Sequence, residues 1–184
     1  MKDLFRGELV RLTSEEPDFR AKVEVNWQRD SEFHRLADGD PAELTSAKKI
    51  KEWIEKNVER DFNPSRYFFS IRALDDDKLI GFLGLWLELV HSEVWVGIGI
   101  GERDYWGKGY GTQASKMLLR FAFAELNLFR VTANVAEYNE GAIALMKKLG
   151  FTEEVRRRQS LEREARRWDL LVFGLLKDEW LKQA

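Results

Sequence analysis

Apolar residues alternate with polar ones in several short stretches of this chain and recur every three to four residues in others. Alternation of this kind predicts half-buried or buried strands. We predict strands at residues 8–13, 67–73, 79–90, 94–101, 129–136, 153–161 and 167–176. Helical spacing instead predicts helices from Pro17 toward Trp27 and over residues 46–59, 113–126 and 140–149, with a last helical turn at 177–182.

The region from Asp30 to Thr45 shows neither period and is rich in acids. Its acidic residues are Asp30, Glu32, Asp38, Asp40 and Glu43. We favour a solvated loop for this region, and the alternative is an acidic rim that attracts a cationic substrate.

The strand predicted at 94–101 has two very different faces. Val94, Val96, Ile98 and Ile100 share one face, and Trp95, Gly97, Gly99 and Gly101 share the other. A face without side chains lets a ligand lie against the backbone, but glycine serves close packing equally well. Both interpretations stay open on this pattern alone.

A glycine-rich turn follows that strand and leads directly into a predicted helix. Its residues are Trp106, Gly107, Lys108, Gly109, Tyr110, Gly111 and Thr112. Such a turn aims several backbone N–H groups at one point, and the helix dipole adds partial positive charge there. The spacing fits neither the Walker phosphate loop nor the dinucleotide fingerprint, so the turn predicts an anion site of another kind.

Composition narrows the possible chemistry. The 184 residues carry 30 Lys and Arg against 32 Asp and Glu, a balance that gives no electrostatic footprint for nucleic acid. There is no cysteine, which excludes disulfides and thiolate chemistry, and the two histidines, His34 and His91, are too few for a histidine-rich metal site. We expect no metal and no membrane segment, and a cytoplasmic location is the default.

The order of the elements predicts one domain of the α/β (α+β) class. Several antiparallel strands followed by strand, helix, strand, helix and hairpin make a mixed sheet with helices on both faces.

Two segments of the chain together resemble the GNAT superfamily of N-acetyltransferases. They are Tyr105–Thr112, preceded by Ile98–Gly101, and Asn139–Phe151. A weaker likeness extends over the whole chain, and the similarity is strongest to the branch of ribosomal-protein N-terminal acetyltransferases. The resemblance implies a mostly antiparallel sheet of about seven strands, splayed between the fourth and fifth strands.

The same resemblance implies an activity and a cosubstrate. The chain would transfer an acetyl group from acetyl-CoA to an amine of a small molecule or a protein N-terminus. Backbone groups of Gly99, Ile100 and Gly101 would bind the pantetheine arm, residues Trp106–Thr112 would hold the pyrophosphate with Lys108 adding charge, and Asn139 would contact the cofactor arm. Packing on the turn is at least as good an explanation for the rings of Trp106 and Tyr110.

The catalytic acid and base are less clearly encoded. Many members of the superfamily have Tyr where Met146 stands and Glu where Trp95 stands. Glu88, in an apolar strand, is our candidate for the general base, because apolar surroundings raise the pKa of a carboxylate. Glu93 and Glu137 are further options, and Tyr138 or a water is a weak substitute for the missing acid.

These departures motivate an alternative function, a non-catalytic protein that binds or senses acyl-CoA. Exposed strand edges also allow pairing with a second copy of the chain, a homodimer, without specifying it.

Overall fold

A computed structural model describes residues 3–37, 39–58 and 65–183. Their centre is a seven-stranded sheet in the order β1-β2-β3-β4-β5-β7-β6. The strands are β1 (Val10–Thr13), β2 (Arg66–Ala73), β3 (Leu79–Glu88), β4 (Glu93–Ile100), β5 (Arg130–Ala136), β6 (Thr152–Arg163) and β7 (Arg166–Leu176). The helices are α1 (Pro17–Gln28), α2 (Ser31–Ala37), α3 (Ala47–Val58), α4 (Tyr110–Arg120), α5 (Glu140–Lys148) and α6 (Lys177–Leu181).

The sheet is antiparallel except between its fourth and fifth strands. β4 and β5 pair in parallel at Glu93–Arg130, Val94–Val131 and Trp95–Thr132. Beyond Trp95 the pairing ends, although β4 continues to Ile100 and β5 to Ala136. The two strands therefore separate into a splay, and the predicted fold class, sheet composition and splay position are confirmed.

Strand alternation gives the sheet two differently covered faces. On one face, Leu83, Leu85 and Val131 are fully buried in a core that includes Leu118 of α4. On the other face, α1 and α3 pack on each other through Ala21, Ile50 and Ile54. Helices thus cover both faces, and the splay opens between them.

The structure corrects the first part of the loop that we predicted between Asp30 and Thr45, whereas residues 39–45 form a largely exposed loop as predicted. Residues Ser31–Ala37 form α2, because the Asp30 carboxylate accepts hydrogen bonds from the N–H groups of Glu32 and Phe33 and so caps the helix. Phe33 is 4% exposed and packs edge-on against Phe82. The acids are also engaged: Asp30 and Glu32 bind Arg103, and Glu43 binds Lys49. Asp38 lies outside the described residues.

Two other helix predictions need adjustment. Helical spacing of Ile50, Trp53 and Ile54 predicts that all three are buried, but Trp53 is 46% exposed on α3 and lies edge-on against Phe68 of β2. The predicted helix end at Glu59 lies outside the described residues. The helix predicted from Gln113 starts three residues earlier, at Tyr110, and ends in a wider π-helical turn, Phe121–Glu125.

Candidate active site

The splay leads into an open cleft of about 650 Å³. One wall is formed by the end of β4 and the turn before α4, and the opposite wall by α5, with α2 contributing Phe33 and Leu36. Apolar side chains and bare backbone line most of it. The turn that we predicted as an anion site therefore opens into the splay rather than onto a flat surface.

The turn has the backbone geometry that an anion site needs. Gly107 and Gly109 adopt φ angles of 70° and 93°, in the left-handed region that favours glycine. The first bond of α4 runs from the N–H of Gln113 to the C=O of Gly109, at 2.9 Å. The N–H groups of Tyr110, Gly111 and Thr112 therefore precede the helical ladder and lie at the positive end of the helix dipole, where Gly111 and Thr112 line the cleft.

Aromatic residues hold the turn in place. The Trp106 indole donates a 2.7 Å hydrogen bond to the carbonyl of Ile100. The Tyr105 hydroxyl donates to Asp76 in the β2–β3 turn at 2.5 Å, and this hydrogen bond raises the pKa of Tyr105. The Tyr110 hydroxyl donates to the neighbouring Asp75 at 3.2 Å. The indole of Trp106 and the hydroxyl of Tyr110 thus position the turn, as the packing interpretation predicted.

Arg103, just before the turn, fastens α2 to it. Its guanidinium donates to both carboxylate oxygens of Asp30, at 2.5 and 2.7 Å, and also pairs with Glu32 at 2.6 Å. The hydrogen bond from Arg103 lowers the pKa of Asp30 to about 2. The start of α2 and the phosphate-type turn are therefore joined by charged contacts.

The glycine face of β4 is packed, not bare. A Cβ added to Gly99 would lie 2.8 Å from the Phe82 ring and 3.3 Å from that of Phe33. At Gly101 it would overlap the indole of Trp27, a side chain that is 3% exposed. Of the two interpretations left open, close packing explains these glycines.

The three residues at the end of β4 that we predicted to bind the cofactor arm turn their backbone groups to different sides of the strand. The N–H of Gly101 donates to the carbonyl of Ile80 at 2.8 Å, so it is used within the sheet. Antiparallel strands alternate the side on which each residue bonds, which turns Gly99 toward β3 as well. The same alternation turns the backbone groups of Ile98 and Ile100 toward the splay. Of the three predicted residues, Ile100 is therefore the one whose N–H faces the splay.

Asn139 lies where the cleft meets α5, and its side-chain amide makes two structural contacts. Its Oδ1 accepts a hydrogen bond from the N–H of Ala142 at 2.9 Å and caps α5. Its Nδ2 donates to the carbonyl of Leu36 at 2.9 Å. Tyr138 donates to the carbonyl of Arg35 at 3.1 Å, so both side chains hold the end of α2 over the splay.

The carboxylates lie in surroundings other than those expected. Glu88 is exposed at the end of β3, so the apolar surroundings that motivated its choice as a base are not found. Glu93 lies opposite it in the β3–β4 register, accepts from the Thr132 hydroxyl at 2.6 Å and pairs with Arg130 at 3.3 Å. Glu137 pairs with Arg156 at 3.2 Å.

Sequence reasoning missed several residues that line the cleft. Lys148 lines it from the last turn of α5, whereas the predicted Lys108 is exposed beside the turn. Ala144 and Leu145 share that helix face, and the i, i+3, i+4 spacing from Gly141 to Lys148 was a usable signal. The contribution of α2 had no such signal, because its register depends on contacts with distant residues.

Comparisons with known proteins bear on this geometry. Residues 6–152 match the family model described as an acetyltransferase (GNAT) domain. An uncharacterized N-acetyltransferase p20 of Bacillus licheniformis is 33% identical over 61% of this chain and 63% of its own length. A putative ribosomal N-acetyltransferase YdaF of Bacillus subtilis is 36% identical over 58% of each chain. The matched segments thus span less than two thirds of either relative.

The fold has close structural neighbours. The crystal structure of spermidine N-acetyltransferase from Vibrio cholerae in complex with CoA and spermine superposes with a TM-score of 0.83 at 20% identity, covering 95% of this chain and 99% of that one. At this identity the likeness shows a shared fold. None of the helices in the described residues is long and apolar enough to cross a bilayer.

Proposed function

Because this chain belongs to the GNAT acetyltransferase family, we propose that it transfers an acetyl group from acetyl-CoA to an amine. The observation that carries the proposal is the continuity of one cleft from the N-terminus of α4 to the splay between β4 and β5. An anion site and an extended channel are joined there, as a nucleotide with a long flexible arm requires.

Each part of acetyl-CoA has a place in this arrangement. The pyrophosphate would bind the N–H groups of Tyr110, Gly111 and Thr112, with Lys148 as the nearby cation. The pantetheine arm would follow the splay-facing backbone of Ile98 and Ile100. The thioester would then lie at the apex of the splay, where β4 and β5 separate.

The reaction needs one bond formed and one broken. The nitrogen of a neutral amine attacks the thioester carbonyl carbon, the C–S bond breaks, and the amine proton passes to solvent or a base. A splay-facing N–H of β4, that of Ile98, is our candidate donor to the developing oxyanion. Met146 lines the apex and cannot protonate the departing thiolate; with a pKa of about 8.5, that thiolate leaves unaided at a cost of roughly 2 kcal/mol at pH 7.

The acceptor decides how much help deprotonation needs. An α-amine with a pKa near 8 costs about 1 kcal/mol to deprotonate at pH 7, whereas an alkylamine near 10.4 costs about 4–5 kcal/mol. We place the chain in the branch of ribosomal-protein N-terminal acetyltransferases, which the putative ribosomal relative supports; a small amine such as a polyamine is the other acceptor class. Pairing of two copies through a sheet edge, β1 or β6, completes the proposal.

A panel of amines tests the activity. Purified protein with acetyl-CoA should release free thiol on addition of peptides with a free N-terminus or of polyamines. Tight acetyl-CoA binding without turnover on any amine would instead support the second candidate, a non-catalytic acyl-CoA-binding protein. Met146 and Trp95, which stand where catalytic side chains are frequent in the family, favour that second candidate.

Glu88 remains our proposed base, and Glu93 is its matched comparison. The Glu88 side chain is exposed at the end of β3. If it is the base, Glu88→Gln should lower kcat about 100-fold or more on alkylamines and remove the acidic limb of the pH–rate profile. Glu93→Gln should keep that limb, because Glu93 is bound to Thr132 and Arg130. An unchanged profile for Glu88→Gln would eliminate it.

A further inference from the structure

A second cavity, of about 90 Å³, lies at the apex of the splay beneath the cleft. It extends between the separating strands toward the core face, where Leu83, Leu119 and Ala133 line it. It shares Leu36, Ala37 and Ile98 with the cleft, so the two spaces adjoin. A group at the end of the pantetheine arm would therefore enter it.

The cavity is lined mostly by apolar side chains and by no charged residue of the described part of the chain. Leu83 and Leu119 are at most 2% exposed, and Met146, Leu149 and Phe151 close its inner end at 4–7% exposure. Ser115, Asn134 and Asn139 supply its polar side chains. An apolar group gains from entering such a space, whereas an ionised group would be desolvated there without a charged partner.

The volume exceeds what an acetyl group needs. About 10–15 Å³ is enough for one water-sized group, so 90 Å³ accommodates several. Met146 adds tolerance, because its unbranched thioether side chain adapts to the shape of its neighbours. Well-packed protein cores contain few voids of this size, because side chains fill them.

We propose that the donor site accepts unbranched acyl groups longer than acetyl, propionyl and butyryl, and rejects acyl groups that end in a carboxylate. This inference rests on the proposed function, since it assumes that the cleft binds the CoA part. It names the class of acyl donor and leaves the amine acceptor open.

Calorimetric binding of four thioesters tests the proposal without an acceptor. The probes are acetyl-, propionyl-, butyryl- and succinyl-CoA, of which the last two have the same carbon count. We expect each added methylene to leave Kd unchanged or tighten it by up to about fourfold. Succinyl-CoA should bind more than about 100-fold more weakly than butyryl-CoA, because its carboxylate would be buried without a charged partner.

Two variants of Met146 place the effect in the apex cavity. Met146→Leu keeps the volume and should preserve the order of affinities, whereas Met146→Phe fills the cavity and should weaken butyryl-CoA at least tenfold more than acetyl-CoA. Affinity for free CoA confirms that a variant is folded. Should Met146→Phe fail to fold, Ala133→Val on the opposite wall provides the same comparison.

The results separate this inference from the proposed function. Acetyl-CoA that binds while butyryl-CoA binds tenfold more weakly would overturn the inference alone. Equal binding of butyryl- and succinyl-CoA would also overturn it, because the acyl group would then lie in solvent. Absence of binding by every thioester and by free CoA would refute the proposed function itself.

Discussion

The turn before α4 follows one end of β4, and Glu88 and Glu93 lie at the opposite end of the β3–β4 pair. These two regions present different chemistry. At the turn, the groups facing the cleft are backbone N–H groups held by two glycines in left-handed conformation. At the strand ends, the candidate groups are side chains, Glu88 and Glu93, whose roles depend on their surroundings. The position of a backbone site can be identified from the glycines that its conformation requires. The role of a carboxylate depends instead on the groups that surround it in the folded chain.

This difference predicts where substitutions act. In the turn, side-chain identity should matter at the glycines and at the aromatic residues that position the backbone, and little elsewhere. At the strand ends and in α2, side-chain identity should decide activity. Substitutions in and around the cleft test that contrast.

Gly109→Glu should have the largest effect. The substitution places a carboxylate at the N-terminus of α4, where it would repel the bound anion. It also places a side chain at a φ of 93°, which strains the backbone. We expect acetyl-CoA affinity to fall more than about 100-fold in calorimetry. Lys108→Glu, one residue away and exposed, is the matched control and should cost only a few-fold. Equal losses would mean that side-chain charge, and not the backbone, binds the phosphates.

Gly101→Ala tests the packed face of β4. Its methyl group would overlap the indole of Trp27, and overpacking of this kind costs roughly 1–3 kcal/mol. We expect a lower free energy of unfolding in denaturant titration, with acetyl-CoA affinity retained below the transition. Gly97→Ala is the milder partner, because its Cβ would lie 3.3 Å from the movable ring of Trp86. Lost affinity with unchanged stability would restore the ligand interpretation of these glycines.

The same contrast explains which features were predictable from sequence. Local patterns predicted the strands and the turn, because alternation, helical spacing and glycine placement are properties of short segments. The splay came only from the resemblance to the acetyltransferase superfamily. The packing on Gly99 and Gly101 was not predictable, since Trp27 and Phe33 reach β4 only in the folded chain. The helix α2 was not predictable either, because nothing in the sequence distinguishes its cap, Asp30, from an ordinary surface acid. The exposed position of Glu88 depends on where β3 ends relative to its neighbours.

Asn139 joins α5 to the end of α2, and two substitutions separate its contacts. Asn139→Ala removes both the cap of α5 and the hydrogen bond to Leu36, and should lower the free energy of unfolding by about 1 kcal/mol. Asn139→Ser restores a cap but not the bond to α2. We expect Asn139→Ser to recover stability while amide hydrogen exchange in α2 stays faster than in the parent. Equal amide exchange rates in α2 of Asn139→Ser and of the parent would show that Asn139 does not hold α2.

The pair of Asp30 and Arg103 gives the smallest effect, and pH is its probe. The hydrogen bond from Arg103 lowers the pKa of Asp30 to about 2 from an ordinary value of 3.8. A lowered pKa means that the pair stabilises the folded state fully above pH 3.8 and loses this contribution as the pH falls toward 2. Solvent screening keeps the effect small, since half of the Arg103 side chain is exposed. Asp30→Asn keeps a capping side chain but loses the charge, so its stability deficit relative to the parent should shrink between pH 4 and pH 2 in denaturant titrations. A deficit independent of pH would mean that Asp30 acts only as the cap of α2. The link between that helix and the phosphate-type turn would then rest on Glu32 and on the packing of Phe33.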